Sequence, residues 1–270
     1  MANKNNYWVE RDVEALNRLT DKSVAATEKQ LAKYYSSCQR RIINGFESLY
    51  NELLSQFKAG IEPTPADLYR LDRYWELQAQ LQHELTLLGD KSNALLSRRF
   101  IEQYKDVYKN IAIPSENAFA TIDNETAAQM IKRIWCADGK EWSQRIWQNT
   151  ANLQSSLNEQ LIHSVITGEK TSALKKSLIN DFQVSYSQAD RVVRTEMSHI
   201  QNTAALERYK DAGIEEYEIL ADGSCDDCKE YDGKRFSISE PSPVPFHPNC
   251  RCCIIPVIKY IKGGSNNDNN

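Results

Sequence analysis

The chain has 270 residues and a formal net charge of −4, from 33 basic and 37 acidic side chains, so it has no bulk electrostatic attraction to nucleic acid. No stretch approaches the ~20 apolar residues that a membrane-spanning helix needs. The polar start lacks the apolar segment of a secretory signal, and the cysteine count of 7 is odd. We therefore expect a soluble protein of a reducing, intracellular compartment.

Apolar side chains in the first part of the chain recur at the steps of three and four residues that are typical of amphipathic helices. The longest series runs from Leu31 to Phe57, and Gly60 is expected to end it. A helix of ~50 residues is ~75 Å long, so we expect part of its apolar stripe to stay exposed for a partner. Three helices are predicted here, over residues 7–57, 67–89 and 93–109.

The same period continues through the middle of the chain. Thr171 or Ser172, and Ser185 or Ser187, are candidate N-caps, and Gly168 and Gly213 are candidate helix stops. After Gly213 the period changes, and runs with β-branched side chains predict three short strands near residues 214–220, 235–238 and 254–258. Helices are predicted over residues 124–136, 142–168, 171–179 and 185–213.

The region from Cys225 to Cys252 contains the most specific pattern in the chain. It reads Cys-Asp-Asp-Cys, then 18 residues, then His-Pro-Asn-Cys-Arg-Cys. Two short knuckles that each supply paired ligands are the usual source of a tetrahedral zinc site. The intervening stretch has few apolar side chains, so a bound metal would supply cohesion that it lacks. The predicted ligands are Cys225, Cys228 and Cys250, with His247 or Cys252 as the fourth, and Cys253 as a further substitute.

Plain buried thiols and a disulfide pair are the alternatives to a metal. Five of the seven cysteines and one of only four histidines fall within 29 residues, which favours zinc over isolated thiols. A disulfide is disfavoured because no secretory signal is recognised. Four or five candidate ligands would fill the coordination shell, so the zinc is expected to be structural. A catalytic zinc keeps an open position.

A polar cluster lies inside the apolar pattern of the last long helix. Arg194, Thr195 and Glu196 could clamp the knuckle or a ligand, but the sequence alone favours a buried ion pair or a solvated face. His199 lies about 140° around the helix from Arg194 and is interpreted as structural. The segment 216–218 repeats the Glu-x-Glu of ADP-ribosyltransferases, although alternating charges on a half-exposed strand are a simpler explanation.

Several motifs occur in a characteristic order in the C-terminal half of the chain. They are Arg194-Thr195-Glu196, Ala204-Ala205, Tyr209 with Gly213, Cys225-x-x-Cys228, Asp232-Gly233-Lys234-x-Phe236, and Pro245-Phe246-His247-Pro248-Asn249-Cys250-Arg251-Cys252. This order resembles the Mu F-like phage head morphogenesis family, whose members are also called minor head or minor capsid proteins. The segment from Trp142 to Trp147 and the early Tyr7-Trp8-x-x-Arg11 are similar to longer members from phages of Gram-positive bacteria.

The resemblance implies a structural protein of a tailed-phage head, encoded by a phage or prophage. It implies localisation in the virion, in the head interior or at the portal vertex, after assembly in the host cytoplasm. The implied partners are the portal protein and other capsid or procapsid proteins, and phage DNA in some relatives, without a membrane. The family supplies no catalytic residues, so no enzyme activity is expected. The metal-site positions match the family pattern residue for residue.

Two other functions remain open on the sequence. A zinc-dependent nuclease or hydrolase could use His247 as its base, but this needs a second acidic or histidine partner on a helix, and no helix is predicted after His247. A DNA-binding ejection protein needs a basic face, because affinity for phosphates grows with the number of charges neutralised. Residues 170–210 have seven basic and four acidic side chains, a mild excess that does not decide the question.

The predicted fold is a mainly α N-terminal body with a small C-terminal α+β zinc-knuckle module. Residues 1–120 are expected to form an extended helical region, and residues 121–262 a Mu F-like domain with the zinc knuckle at 214–258. The tail 263–270 contains only Gly, Ser, Asn and Asp, and we expect it to be disordered.

Overall fold

The computed structural model describes residues 4–56, 67, 73–111, 120–167, 169–221 and 226–258. The predicted stop at Gly60, the ligand Cys225 and the tail 263–270 lie outside these residues. The fold is mainly helical, as predicted, with a small antiparallel sheet near the C-terminus. The elements are α1 (Lys4–Gln56), α2 (Arg73–Asn110), α3 (Asn124–Met130), α4 (Trp142–Thr167), α5 (Thr171–Asp211), β1 (Glu216–Leu220), α6 (Asp226–Lys229), β2 (Arg235–Ser237) and β3 (Cys253–Pro256).

The four long helices α1, α2, α4 and α5 pack around a shared apolar core. Helices α1 and α5 run antiparallel, since Gln201 donates to Asn17 at one end and Lys175 pairs with Glu47 at the other. This packing is what positions α5, the helix on which the functional region is built. No helix in the described part of the chain is long and apolar enough to cross a membrane.

Helix α1 buries its apolar stripe against its neighbours. Side chains at helical spacing from Leu16 to Phe46 are buried, and Leu31 and Cys38 are fully inaccessible. Full burial of one such aliphatic side chain stabilises a fold by about 1.5–3 kcal/mol. This part of the stripe is therefore not available to a partner, because α2 and α5 together cover it.

Two predicted helix breaks are wrong. Helix α2 continues through Gly89, and α5 continues from Thr171 to Asp211 without a second start at Ser185. Ser185 is instead a buried contact with α4, where its hydroxyl meets Asn149 Oδ1 at 3.2 Å and its carbonyl accepts from Asn149 Nδ2 at 2.8 Å. Ser185 is a residue type that often caps a helix, but here it bonds to the neighbouring helix instead. The predicted helix over residues 124–136 ends earlier, at Met130.

Gly89 lies inside α2 because α4 approaches it closely. A Cβ at this position would lie 2.3 Å from the ring of Trp147, which no side chain tolerates without movement. Glycine therefore serves helix–helix packing here and does not terminate the helix.

We expect Gly89→Ala to destabilise the protein by roughly 1 kcal/mol in urea unfolding. Alanine gains up to about 1 kcal/mol of helix propensity over glycine, but overpacking a helix contact costs about 1–3 kcal/mol. In a Trp147→Leu background the clash is gone, so the same Gly89→Ala change should stabilise. A stabilising effect in the wild-type background would show that the ring moves away freely.

The C-terminal module begins where α5 ends. Gly213 has φ +73 and its amide bonds to the Lys210 carbonyl, while the next amide bonds to the Tyr209 carbonyl, so the predicted glycine stop is confirmed. The strands pair antiparallel in the order β2–β1–β3. Tyr217 and Ile219 of β1 are fully buried, and their core is continuous with that of the helices.

Candidate metal centre and adjacent cleft

Three of the predicted ligands converge in the C-terminal module. The ligand atoms of Cys228, His247 and Cys250 all lie within 4.8 Å of one another, and both thiols are buried. Cys228 is on the short helix α6, and the other two are in the connection before β3. This cluster could hold a metal ion.

The distances within the cluster fit tetrahedral zinc. Cys228 Sγ lies 3.2 Å from His247 Nε2 and 3.9 Å from Cys250 Sγ. Ligands at ~2.3 Å for sulfur and ~2.0 Å for nitrogen around a tetrahedral ion are themselves roughly 3.5–3.8 Å apart. The three side chains therefore need little movement to bind one ion.

The ring of His247 is oriented for ligation through Nε2. Its Nδ1 lies 2.9 Å from the carbonyl oxygen of Pro248. A carbonyl only accepts, so Nδ1 must donate, and the lone pair of the neutral ring is then on Nε2, toward Cys228. Metal-bound histidine typically donates its other ring N–H to such an acceptor, and this hydrogen bond fixes the tautomer.

The other two predicted ligands differ in position. Cys225, three residues before Cys228, lies outside the described residues. The thiol of Cys252 is not part of the three-residue group. Its residue is buried, and its carbonyl accepts a hydrogen bond from Asn202 of α5 at 3.2 Å. Between the two candidates for the remaining position, the geometry thus favours His247 over Cys252.

Helix α5 holds the knuckle at two points that lie about two turns apart on the same face. Thr195 Oγ1 accepts from the Asn249 amide at 3.1 Å, in the turn between the ligands, where Asn249 has φ +62. Seven residues along α5, the side-chain amide of Asn202 bonds to the backbone on both sides of Cys253. Its Nδ2 donates to the Cys252 carbonyl, and its Oδ1 accepts from the Ile254 amide at 2.9 Å. The knuckle is thereby positioned by side chains outside its own sequence.

The residues on either side of Thr195 contact two further elements. Arg194 pairs with Glu28 of α1 at 2.7 Å. Glu196 is buried and accepts from Trp135 Nε1 at 3.0 Å and from Arg145 of α4 at 3.0 Å. Successive helical residues point about 100° apart, so this tripeptide ties α1, the knuckle and α4 to one turn of α5. Of the two hypotheses drawn from the sequence, Thr195 is the contact with the knuckle and Glu196 forms the buried ion pair.

Two titratable groups of α5 have pKa values displaced in opposite directions. Burial raises the pKa of Glu196 to about 7, and the hydrogen bond from Trp135 and the charge of Arg145 only partly oppose it. Burial lowers the pKa of His199 to about 3. The His199 ring stacks on Trp135 at 4.3 Å between centroids, and its buried Nδ1 has no hydrogen-bond partner among the described residues. His199 is therefore neutral at physiological pH.

A cleft of about 1100 Å³ adjoins the candidate metal centre. Its floor is one face of α5 from Arg191 to Lys210. One wall is the segment 133–138 that follows α3, and the other is the proline-rich segment 239–248 that contains the candidate ligand His247. Glu196 and His199 both line it.

Three contributors to this region were not found from sequence. Trp135 and Arg145 hold Glu196 across 61 and 51 positions of chain, a distance that no local pattern reports. Asn202 had a detectable signal, since a buried amide inside an apolar helical pattern needs specific partners.

The fold and the site define a mainly α protein with a small antiparallel sheet, beside which a Cys/His cluster could hold a metal. The family model described as "Phage Mu protein F like protein" matches residues 155–255. The match runs from the middle of α4 to β3 and covers α5, the sheet and the cluster, so it confirms the resemblance to the Mu F-like family over this part of the chain. No curated protein and no solved structure matches the chain.

Similarity to this family suggests a phage head morphogenesis protein. It suggests a structural protein, associated with other capsid components in a virion.

Proposed function

We propose that the chain is a minor head protein that acts in phage head assembly by binding, at the portal or within the procapsid. The observation that supports this most is the family match, which spans α5 and the Cys/His cluster together. A metal bound by this cluster would be structural. Cys225 would complete a Cys3His shell with Cys228, His247 and Cys250, and no position would remain for a substrate.

Co-purification tests the assembly role. A tagged chain, expressed while the phage or prophage that encodes it assembles heads, should co-purify with the portal protein and appear in purified procapsids. Its absence from procapsids and virions would contradict the proposal.

Metal analysis tests the structural site separately. Protein purified without a polyhistidine tag should contain about one equivalent of zinc. Metal-dependent DNA cleavage that is lost in His247→Ala would favour the nuclease alternative. That reading needs Nε2 of His247 to face a substrate, whereas Nε2 lies 3.2 Å from Cys228 Sγ.

A basic stripe on α1 favours DNA as a second partner. Lys22, Lys29, Lys33 and Arg40 lie within about 20° of one line along the helix, over ~27 Å. All four are exposed, and no ion pair joins them to a described residue. Four such cations could neutralise about four backbone phosphates, which the overall charge of −4 did not predict.

Salt dependence tests this second role. If the stripe contacts four phosphates, the logarithm of the DNA affinity should fall with the logarithm of salt concentration with a slope of about −3.6. Lys29→Glu with Arg40→Glu should lower the affinity at least tenfold and flatten the slope by about half. Arg98→Glu, at an exposed site on α2, is the matched control and should change neither. A slope near zero in the wild-type protein would rule out phosphate contacts.

A further inference from the structure

The cleft beside α5 has the dimensions of a site for an extended chain. The face of α5 that forms its floor, from Arg191 to Lys210, is ~28 Å long. At ~3.3–3.6 Å per residue, this length accommodates about eight extended residues. Both walls are irregular segments, and the Ile134 and Trp135 amides of one wall have no hydrogen-bond partner among the described residues.

The charges in the cleft leave two cations uncompensated. Arg145 pairs with Asp138 at 2.5 Å and with Glu196, and Lys210 pairs with Glu207 at 3.0 Å. The two remaining guanidinium groups of the lining, on Arg133 and Arg191, are exposed and form no ion pair with any described residue.

These two arginines lie at separate positions along the cleft. Arg191 is at the N-terminal end of the α5 face. Arg133 is two residues before Trp135, whose ring stacks on His199. The distance along α5 from residue 191 to residue 199 is ~12 Å.

The surface between the two arginines is largely apolar and aromatic. Trp135 stacks on the neutral His199 ring, and Ile134 of the same wall is 56% exposed. The opposite wall supplies Phe246 and the prolines Pro241 and Pro243. An exposed isoleucine beside an aromatic pair in a concave surface is typical of a position where a partner side chain packs.

We propose that this cleft binds an extended acidic peptide segment of a partner protein. One carboxylate of the segment pairs with Arg133 and another with Arg191, and an apolar side chain between them packs against Ile134 and Trp135. Bidentate pairing with carboxylates is the interaction for which guanidinium geometry is suited. The inference does not depend on the identity of the bound metal or on the basic stripe of α1.

A nucleic-acid strand fits the same cleft less well. It carries a phosphate at every nucleotide, so its inner phosphates would lie against the carboxylates of Asp138, Glu196 and Glu207. A peptide can place its charges only opposite the two arginines. The charge pattern therefore favours a peptide with separated acidic residues.

Fluorescence anisotropy with defined peptides tests the proposal on the full, metal-loaded chain. The probes are labelled peptides of about ten residues in which two glutamates are separated by about three to nine positions, with leucine or tryptophan between them. Matched peptides with glutamine in place of glutamate are the controls, and oligothymidylate of similar length is the nucleic-acid probe.

We expect one glutamate spacing to bind best and the glutamine peptides to bind at least about tenfold more weakly. Arg133→Glu and Arg191→Glu should each weaken binding by about tenfold or more, and Ile134→Asp should also weaken it. Lys29→Glu with Arg40→Glu on α1 should have no effect, which separates the cleft from general attraction to basic surface. All of these side chains are exposed, and circular dichroism should confirm that the variants remain folded.

Crosslinking provides a readout on the unmodified protein. A benzophenone group at the central position of the peptide should attach to the segment 133–138 or 239–248. The proposal is overturned if no peptide in the series binds, if the glutamine peptides bind equally well, or if the crosslinks lie elsewhere. It is also overturned if only oligothymidylate binds and Arg133→Glu with Arg191→Glu abolishes that binding, because the cleft would then be a nucleic-acid site.

Discussion

Cys228→Ser is expected to abolish metal binding and to unfold the C-terminal module while the long helices remain folded. Zinc binding contributes about 10–16 kcal/mol in zinc-finger peptides, and the described part of the module has three short strands and one four-residue helix. Limited proteolysis should then cleave first within residues 214–258. The helical body retains its own buried stripe from Leu16 to Phe46, so its fragments should persist.

Cys38→Ser is the matched control for this experiment. Cys38 and Cys228 are both fully buried cysteines, but Cys38 lies in α1 and is not in the cluster. Its replacement should retain the zinc and cost only the stability of one buried polar substitution, about 1–3 kcal/mol. If Cys228→Ser instead unfolds α1 to α5 as well, the core shared between module and helices makes them one cooperative unit.

The second large effect is expected in the pH dependence of stability when Glu196 or His199 is replaced. Folding raises the pKa of Glu196 from 4.5 to about 7, so its stabilisation is present at low pH and is lost as pH rises toward 7. Folding lowers the pKa of His199 from 6.5 to about 3, so its contribution is present above 6.5 and is lost as pH falls. Between pH 4.5 and 6.5 these two contributions change the unfolding free energy with pH in opposite directions, so they cancel in the wild-type protein.

Single replacements should expose each slope. Relative to wild type, the unfolding free energy of Glu196→Gln should rise with pH by about 1.4 kcal/mol per unit over this window. That of His199→Gln should fall with pH by a similar amount, and the double variant should again be flat. Urea unfolding at a series of pH values measures all four proteins. Parallel curves for wild type and Glu196→Gln would show that the Glu196 carboxyl keeps its ordinary pKa.

Much of the local structure follows from sequence alone. The period of three and four residues predicts the long helices, because it is the pattern that lets one face be buried. Gly213 predicts the end of α5, because a left-handed residue closes the last turn. The Cys-x-x-Cys and His-x-x-Cys spacings predict the knuckle, because short ligand spacing places both donors of a pair on one turn. These are properties of neighbouring residues, which the sequence determines directly.

The tertiary structure decided what depends on partners distant in the chain. Gly89 and Ser185 have the local chemistry of a helix stop and a helix start, yet each is a contact between helices, since Trp147 and Asn149 lie against them. The preference for His247 over Cys252 follows from the direction of its ring. The cleft, with Glu196 held by Trp135 and Arg145, exists only because α5 brings together three separate segments. Burial and charge pairing across such distances depend on packing, which no local pattern encodes.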